Sequence, residues 1–464
     1  MNIHDTTRGR RGARRLGSLL ALLIVAAGVG ACDLDDLLDV EDPEVASPGS
    51  VQDPSALPVV FSGAVRDFTW AYSGTGAIGG GGDNDPLITV SGLLTDEFLH
   101  YGTFPTRQEV DLRSIPTPAP NDATDNATVS DPYHNLHRAR RSAEVAEDLY
   151  EAAEAGSSAE RSVVRSLAGY TYILFGEMFC EGVPYSSIDI QGNVTFGEPS
   201  TRTETFNRAQ EWFGLATSAA EEVGDDDALY LAKVGLARAL VNLGDYAAAA
   251  AEVADVPSDW EYVIEHSDNS TAQENGVWKF TLDAGRYGLI DNEGGTGLIW
   301  SDDERTPVLV GTRSPFDTSI DTYIGQGKYT TRGDNVVLAD GREARLIEAE
   351  AALDADDVDG FRTAINAARA VDGLDPLDAG DIPDTEPGRV DLLFAERGHA
   401  LWMTGHRLGD LRRMIRQYQR SQSDVFPSGS YFRDGLEYGT DVNLPIYVDE
   451  NNNPEFVGCI NRDA

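Results

Sequence analysis

The chain has 464 residues, with 78 Asp and Glu against 36 Lys and Arg, a formal charge of −42 and a hydrophobic fraction of 41%. That apolar fraction is enough for a sizeable core and excludes a disordered polymer, while the acidity makes nucleic acid and anionic membrane surfaces poor partners. Its cysteines, Cys32, Cys180 and Cys459, form no CxxC pair or Cys/His cluster, so no structural zinc site and no cofactor is expected.

Residues 1–31 read as a signal peptide. Arg8, Arg10, Arg11, Arg14 and Arg15 make a positive n-region, and the apolar run Leu16 to Val29 is too short to span a membrane comfortably. The run ends Val29-Gly30-Ala31-Cys32, which resembles the bacterial lipobox, in which the cysteine becomes the lipidated first residue. The alternative is an ordinary cut near Ala31 with an incidental Cys32. Residues 32–58 are acidic and broken by Pro and Ser, as a tether would be.

Residues 59–464 read as one domain. Val59 to Tyr72 has helical periodicity. Gly74, Gly76 and Gly79 match G-x-G-x-x-G, but no strand precedes them and Pro86 follows, so the stretch is expected to be a loop. Leu87 to Phe98 is expected to be helical and Tyr101 to Asp131 a loop. Asp131-Pro132 is expected to start a helix running to Ala155. Capping boxes are read at Ser157 to Glu160 and Thr201 to Glu204. Leu231 to Val253, with Ala237, Leu240, Gly244-Asp245-Tyr246 and Ala249, follows the spacing of a tetratricopeptide repeat, and the neighbouring helix pairs make a series of such hairpins. Between about 257 and 340 the pattern is lost, and runs such as Val277 to Leu282 and Thr306 to Val310 read as strands or extended loops.

The stretch 389–420 is another helical hairpin, broken at Gly405. Leu393, Glu396, Arg397, Ala400 and Thr404 share one stripe, which places two charges in an apolar or small face and calls for partners among Arg407, Asp410, Arg412 and Arg413. Glu396 is expected to pair with Arg407, structurally and not catalytically. The tail 421–464 should wrap the scaffold; Asp449 to Pro454 lacks the ligand spacing of a calcium site.

The run Glu396-Arg397, Leu401, Gly405, Arg407, Asp410-Leu411-Arg412-Arg413 resembles the C-terminal signature of the SusD/RagB family of nutrient-binding outer-membrane lipoproteins. Arg345 to Leu353, Ala364 to Arg369 and Gly373-Leu374 are similar to that family's preceding helix pair, and Leu87 to Phe98 with Asp96-Glu97 to its second helix. His399, Arg407-Leu408 and Tyr447 depart from the pattern. The resemblance implies a mostly α, tetratricopeptide-like scaffold carrying an irregular insertion at about 257–340. It also implies lipid anchoring at Cys32 on the outer-membrane surface, and delivery of a glycan or peptide nutrient to a TonB-dependent, SusC-like transporter. By putting the chain end back across the helical body it implies a Cys180–Cys459 disulfide once Cys32 carries lipid; a free buried Cys180 thiol is the alternative.

Two loop regions are rich in aromatic and polar groups: Trp70, Tyr72, Asp96, Glu97 and Tyr101 in one, Trp278, Tyr287 and Trp300 in the other. If they face each other they make a ligand site with rings for sugars to stack on and carboxylates for hydroxyls; the alternative is that the rings pack the insertion onto the scaffold. No enzyme is expected. Competing readings are a scaffold that binds only protein, or a glycoside hydrolase using Asp96 and Glu97, which adjacent helical positions point too far apart to flank one bond.

Overall fold

A computed structural model describes residues 54–77, 85–116, 126–189, 193–433 and 435–464. The signal segment, Cys32, the tether up to Asp53 and most of the Gly-rich stretch lie outside these residues.

The described chain is dominated by helices. They are α1 (Leu57–Tyr72), α2 (Leu87–Leu93), α3 (Pro105–Asp111), α4 (Ala127–Ala152), α5 (Ala159–Met178), α6 (Arg202–Val223), α7 (Asp226–Leu243), α8 (Tyr246–Val253), α9 (Gly341–Asp354), α10 (Val358–Val371), α11 (Glu386–Ala400) and α12 (Arg407–Arg416). Packing runs from neighbour to neighbour, α1 on α4, α4 on α5, α5 on α6, α6 on α7, α8 between α7 and α9, and α9 on α10, as in a tetratricopeptide-like stack. Among the described residues, no helix is long and apolar enough to cross a membrane.

Local chemistry explains the boundaries. Thr201 and Glu204 form a reciprocal capping box at α6. Asp225, Asp245 and Asp340 accept from backbone N–H groups at the starts of α7, α8 and α9. Gly235 lets α7 approach α6 and α5, because a Cβ there would lie 2.2 Å from Phe213 Cε1. At Ser157 to Glu160 the cap is Ser158, which accepts from Arg161 N, so no capping box forms. The helix expected to start at Asp131-Pro132 instead starts at Ala127, capped by Asn126, and Pro132 sits inside it. Asn126 is anchored in turn by donating to the Thr106 carbonyl at 2.9 Å and to Glu109 at 2.8 Å.

The insertion between α8 and α9 contributes short antiparallel pairs. Glu261–Ile264 pairs with Val336–Asp340, Val308–Val310 with Ile324–Gln326, and Tyr287–Gly288 with Leu99–His100. Val277 to Leu282 is not a strand. It is a helical turn, Gly276–Trp278, running into a π-helix at Lys279–Asp283, with Asn275 capping Trp278 N.

The tail closes back on α5. Leu444 donates to Met178 O at 2.8 Å and Cys180 to Leu444 O at 2.9 Å, while Ile460 donates to Glu181 O at 2.7 Å. In the structure Cys180 and Cys459 form a disulfide, their Cα atoms 5.7 Å apart.

Candidate functional site

The charged stripe of α11 is buried and paired, but with other partners than the sequence suggests. Glu396 does not meet Arg407. Its carboxylate lies 2.6 Å from Arg369 Nη1 and 2.9 Å from Arg305 Nη1, and Arg407 instead grips Glu293 of the insertion through Nε and Nη2. The reason is orientation: Arg407 opens α12 after the Gly405 turn (φ +72°) and turns towards the insertion, where Glu293 is fully buried. Arg397 does pair within the hairpin, its Nε 2.9 Å from Asp410 Oδ2, and Arg413 takes the other oxygen at 2.9 Å. Burial alone would raise the Asp410 carboxyl; Arg397 and Arg413 outweigh it and hold it well below the usual range. Arg412 caps the end of α5, donating to Glu177 O at 2.6 Å. This is a structural network that bolts α12 to α5, α9 and the insertion.

Most of the aromatic and acidic side chains expected to meet a ligand are also interior. Tyr72, Asp96, Glu97, Tyr101, Tyr287 and Trp300 are each at most 4% exposed. Tyr72 donates to Thr404 O at 2.7 Å, Tyr101 to Leu289 O at 2.9 Å, and Trp300 packs on Trp402 and His399. Buried in this way, these six side chains lie at the joint between scaffold and insertion, where the two segments meet through the 99–100/287–288 strand pair. Trp70 and Trp278 are half-buried, and among the described residues no ring contact joins them to each other or to Trp300.

The carboxylates at this joint are latches. Asp96, at φ +61°, accepts from Gly294 N (3.1 Å) and Tyr438 OH (3.0 Å), Glu97 from Met403 N (2.6 Å), and Asp111 from His100 N (2.8 Å) and Tyr431 OH. Burial pushes Asp96 and Glu97 up to about 7 and Asp111 to about 8. A carboxyl raised in the fold binds more protons folded than unfolded between its unfolded value, near 4, and its folded value. Stability is therefore lost as pH rises through that window, by up to about 1.4 kcal/mol per pH unit for one group. Asp96→Asn is expected to flatten the fall in melting temperature between about pH 4 and about 7; a variant with the wild-type pH profile would show that Asp96 does not titrate there.

Outside this joint the same loops present an exposed surface. Phe104, Phe316 and Phe432 are 39%, 44% and 36% exposed. The Arg286 guanidinium lies 5.3 Å from the Phe104 ring and 4.8 Å from Phe316, and Arg107 lies 4.7 Å from the first of these rings. Phe432 packs on Tyr101 at 6.0 Å, beside Arg433, which binds Asp317 at 3.0 Å. Backbone bonds fix the loops to each other: Tyr101 N to Arg286 O, Phe316 N to Gly285 O and Asp317 N to Tyr101 O. Next to Phe316 the loop 311–323 lines a cavity of about 360 Å³ with Arg313, Ser314, Thr318 and Asp321. Reading Trp and Tyr alone misses these phenylalanines. The available signal was proline: Phe104-Pro105 and Pro315-Phe316 put large rings where no regular element can bury them. Chemically the surface offers apolar faces, guanidinium donors and a carboxylate acceptor. Among the described residues there is no group of His, Cys, Asp and Glu suited to a metal, the Asp449 to Pro454 tail included.

No protein-family profile matches the chain. No curated protein is similar to it. Solved structures are. Surface glycan-binding protein A from Bacteroides uniformis superposes with a TM-score of 0.62 at 13% identity, covering 87% of this chain and 99% of that one. The chain has the SusD-like fold. A SusD-like carbohydrate-binding protein from Bacteroides vulgatus (TM-score 0.58, 14% identity, 89% of this chain, 98% of that one) shares it. So does a SusD/RagB family protein from Bacteroides thetaiotaomicron (0.58, 15%, 85% and 94%). At such identities the likeness carries the SusD-like architecture, with its helical stack and long insertion.

Proposed function

We propose that this SusD-like chain is a non-enzymatic, cell-surface lipoprotein that captures a glycan at the Phe104, Phe316 and Phe432 surface and passes it to a TonB-dependent, SusC-like outer-membrane transporter. The observation that carries the reading is that exposed aromatic surface, held out by loops on a rigid helical body and interleaved with Arg286, Arg433 and Asp317. Sugar rings bring apolar faces to stack on the phenyl groups and hydroxyls for the polar neighbours. The names of the solved relatives, two of which are carbohydrate- or glycan-binding, agree with it. Residues 1–31 serve as the signal peptide, Cys32 carries the lipid and the acidic segment that follows it, up to the helical turn at Pro54–Ala56, is the tether; more than one acyl chain is needed for firm anchoring.

Phe316→Ala is expected to weaken oligosaccharide binding about ten-fold without changing the melting temperature, and a Phe104/Phe316/Phe432 triple alanine variant to abolish it. Calorimetric titration across a panel of neutral oligosaccharides measures this. Wild-type affinity in a folded triple variant rejects the surface. Extraction of the native membrane should recover the transporter with the protein.

A further inference from the structure

A cavity of about 560 Å³ on the scaffold shares no lining residue with the loop surface. It sits between α4 and the strand pair Ser187–Ile188/Val194–Thr195, lined by Arg138, Arg140, Arg141, Ser186, Ile188 and Val194, with Glu450 as the one carboxylate of the lining. Three arginines within four positions stand out in a chain of net charge −42. Their pairing stands out further. Most arginines here are matched to carboxylates. Arg140 and Arg141 share Glu144, at 2.8 and 2.5 Å, and also donate to the carbonyls of Ser186 and Ile188, which fixes them in the groove wall. Arg138 is exposed and, among the described residues, pairs with no carboxylate. Its guanidinium lies 5.7 Å from the Trp70 ring, and Arg66, equally without a carboxylate, lies 5.4 Å from the same ring. One half-buried indole thus holds two exposed guanidiniums.

The other carboxylates here are already engaged. Asp67 accepts from Ser142 at 2.5 Å, and Glu450 accepts from Tyr133 at 2.9 Å and lies 3.9 Å from His137 Nε2. At the mouth Ile188 and Val194 are 55% and 51% exposed, so the lip is apolar. A fork of arginines, serine hydroxyls and an apolar lip match a ring with one apolar face, several hydroxyls and a carboxylate.

We infer that this groove binds the carboxylate of an acidic saccharide, a uronate unit of a polysaccharide, with Arg138 of its lining as the charge-reading residue and Arg66, which shares the Trp70 ring but lies outside the lining, as a neighbouring cation. It is a second site, independent of the phenylalanine surface. A bare inorganic anion would use the guanidiniums and leave the lip unused. A neutral sugar would leave Arg138 without a counter-charge.

The test is titration of the full-length mature protein with hexameric oligogalacturonate, a neutral galactose hexamer and inorganic sulfate. Arg138→Glu, an Arg66→Glu/Arg138→Glu double variant and Phe316→Ala are compared with wild type. Both arginines are exposed and, among the described residues, have no ion pair, so the charge reversals should fold, which near-ultraviolet circular dichroism verifies. The expected result is oligogalacturonate binding that falls on the order of ten-fold or more in Arg138→Glu, weakens with salt and is unchanged in Phe316→Ala. The neutral hexamer should be unaffected by either reversal. The inference is overturned if oligogalacturonate does not bind, if its binding is lost in Phe316→Ala but kept in the double variant, or if sulfate binds as tightly.

Discussion

Asp410→Ala is expected to destabilise the protein by about 3–5 kcal/mol, because it removes the carboxylate shared by two buried guanidiniums. Arg397 and Arg413 are 4% and 2% exposed at the side chain. Arg413 would keep Glu350, while Arg397 would lose its only ion pair among the described residues. An exposed comparison is available on α10, where Arg362 lies 3.4 Å from Asp359; Arg362→Ala should cost less than about 1 kcal/mol. Urea unfolding at neutral pH measures both. If the two variants lose similar stability, the α11–α12 network is not a keystone. The pH dependence of this pair is opposite in sign to that of Asp96. A carboxyl held below its unfolded value, near 4, stabilises above that value and loses its contribution as pH falls towards its folded value, so Asp410 matters least in strong acid.

The second large effect is the disulfide. Cys180 and Cys459 are 279 positions apart, and closing a loop of that length in the unfolded chain removes entropy worth about 5 kcal/mol in the chain-entropy treatment. Cys459→Ser should therefore lower stability by about 2–5 kcal/mol and speed amide exchange at Cys180, Glu181 and Ile460. A serine variant that unfolds at the wild-type urea concentration would show that the tail is held by its backbone bonds alone.

The helical stack was legible because a period of 3.6 and side-chain caps are local signals: Thr201 with Glu204, or Asp245 after Gly244, announce themselves within four residues. The burial of Glu396 and Arg397 was legible for the same reason. Their partners were not all so. Arg397 finds Asp410 13 positions on, but Arg407 finds Glu293 114 positions back, across an insertion whose path no periodicity specifies. Which aromatic rings are buried was illegible for the same reason. Alternation and composition show that rings are present, not which face the interior, and Tyr101 and Tyr287 turn inward while Phe104 and Phe316 turn out. The His137 to Arg141 run was passed over because it is short against the chain's total charge; only the fold reveals that Arg66 joins it across Trp70.

The closing strands at Phe179 to Glu181 need residues 444 and 459–461 for their pairing. A chain that emerges N-terminus first therefore cannot close the end of α5 until residues 459–461 have arrived. Until then the end of α5 presents open backbone groups, and a product truncated by even six residues lacks both Cys459 and Ile460. The seal on the end of α5 is thus made by residues more than 260 positions away, and a chain that lacks them is left open at Cys180.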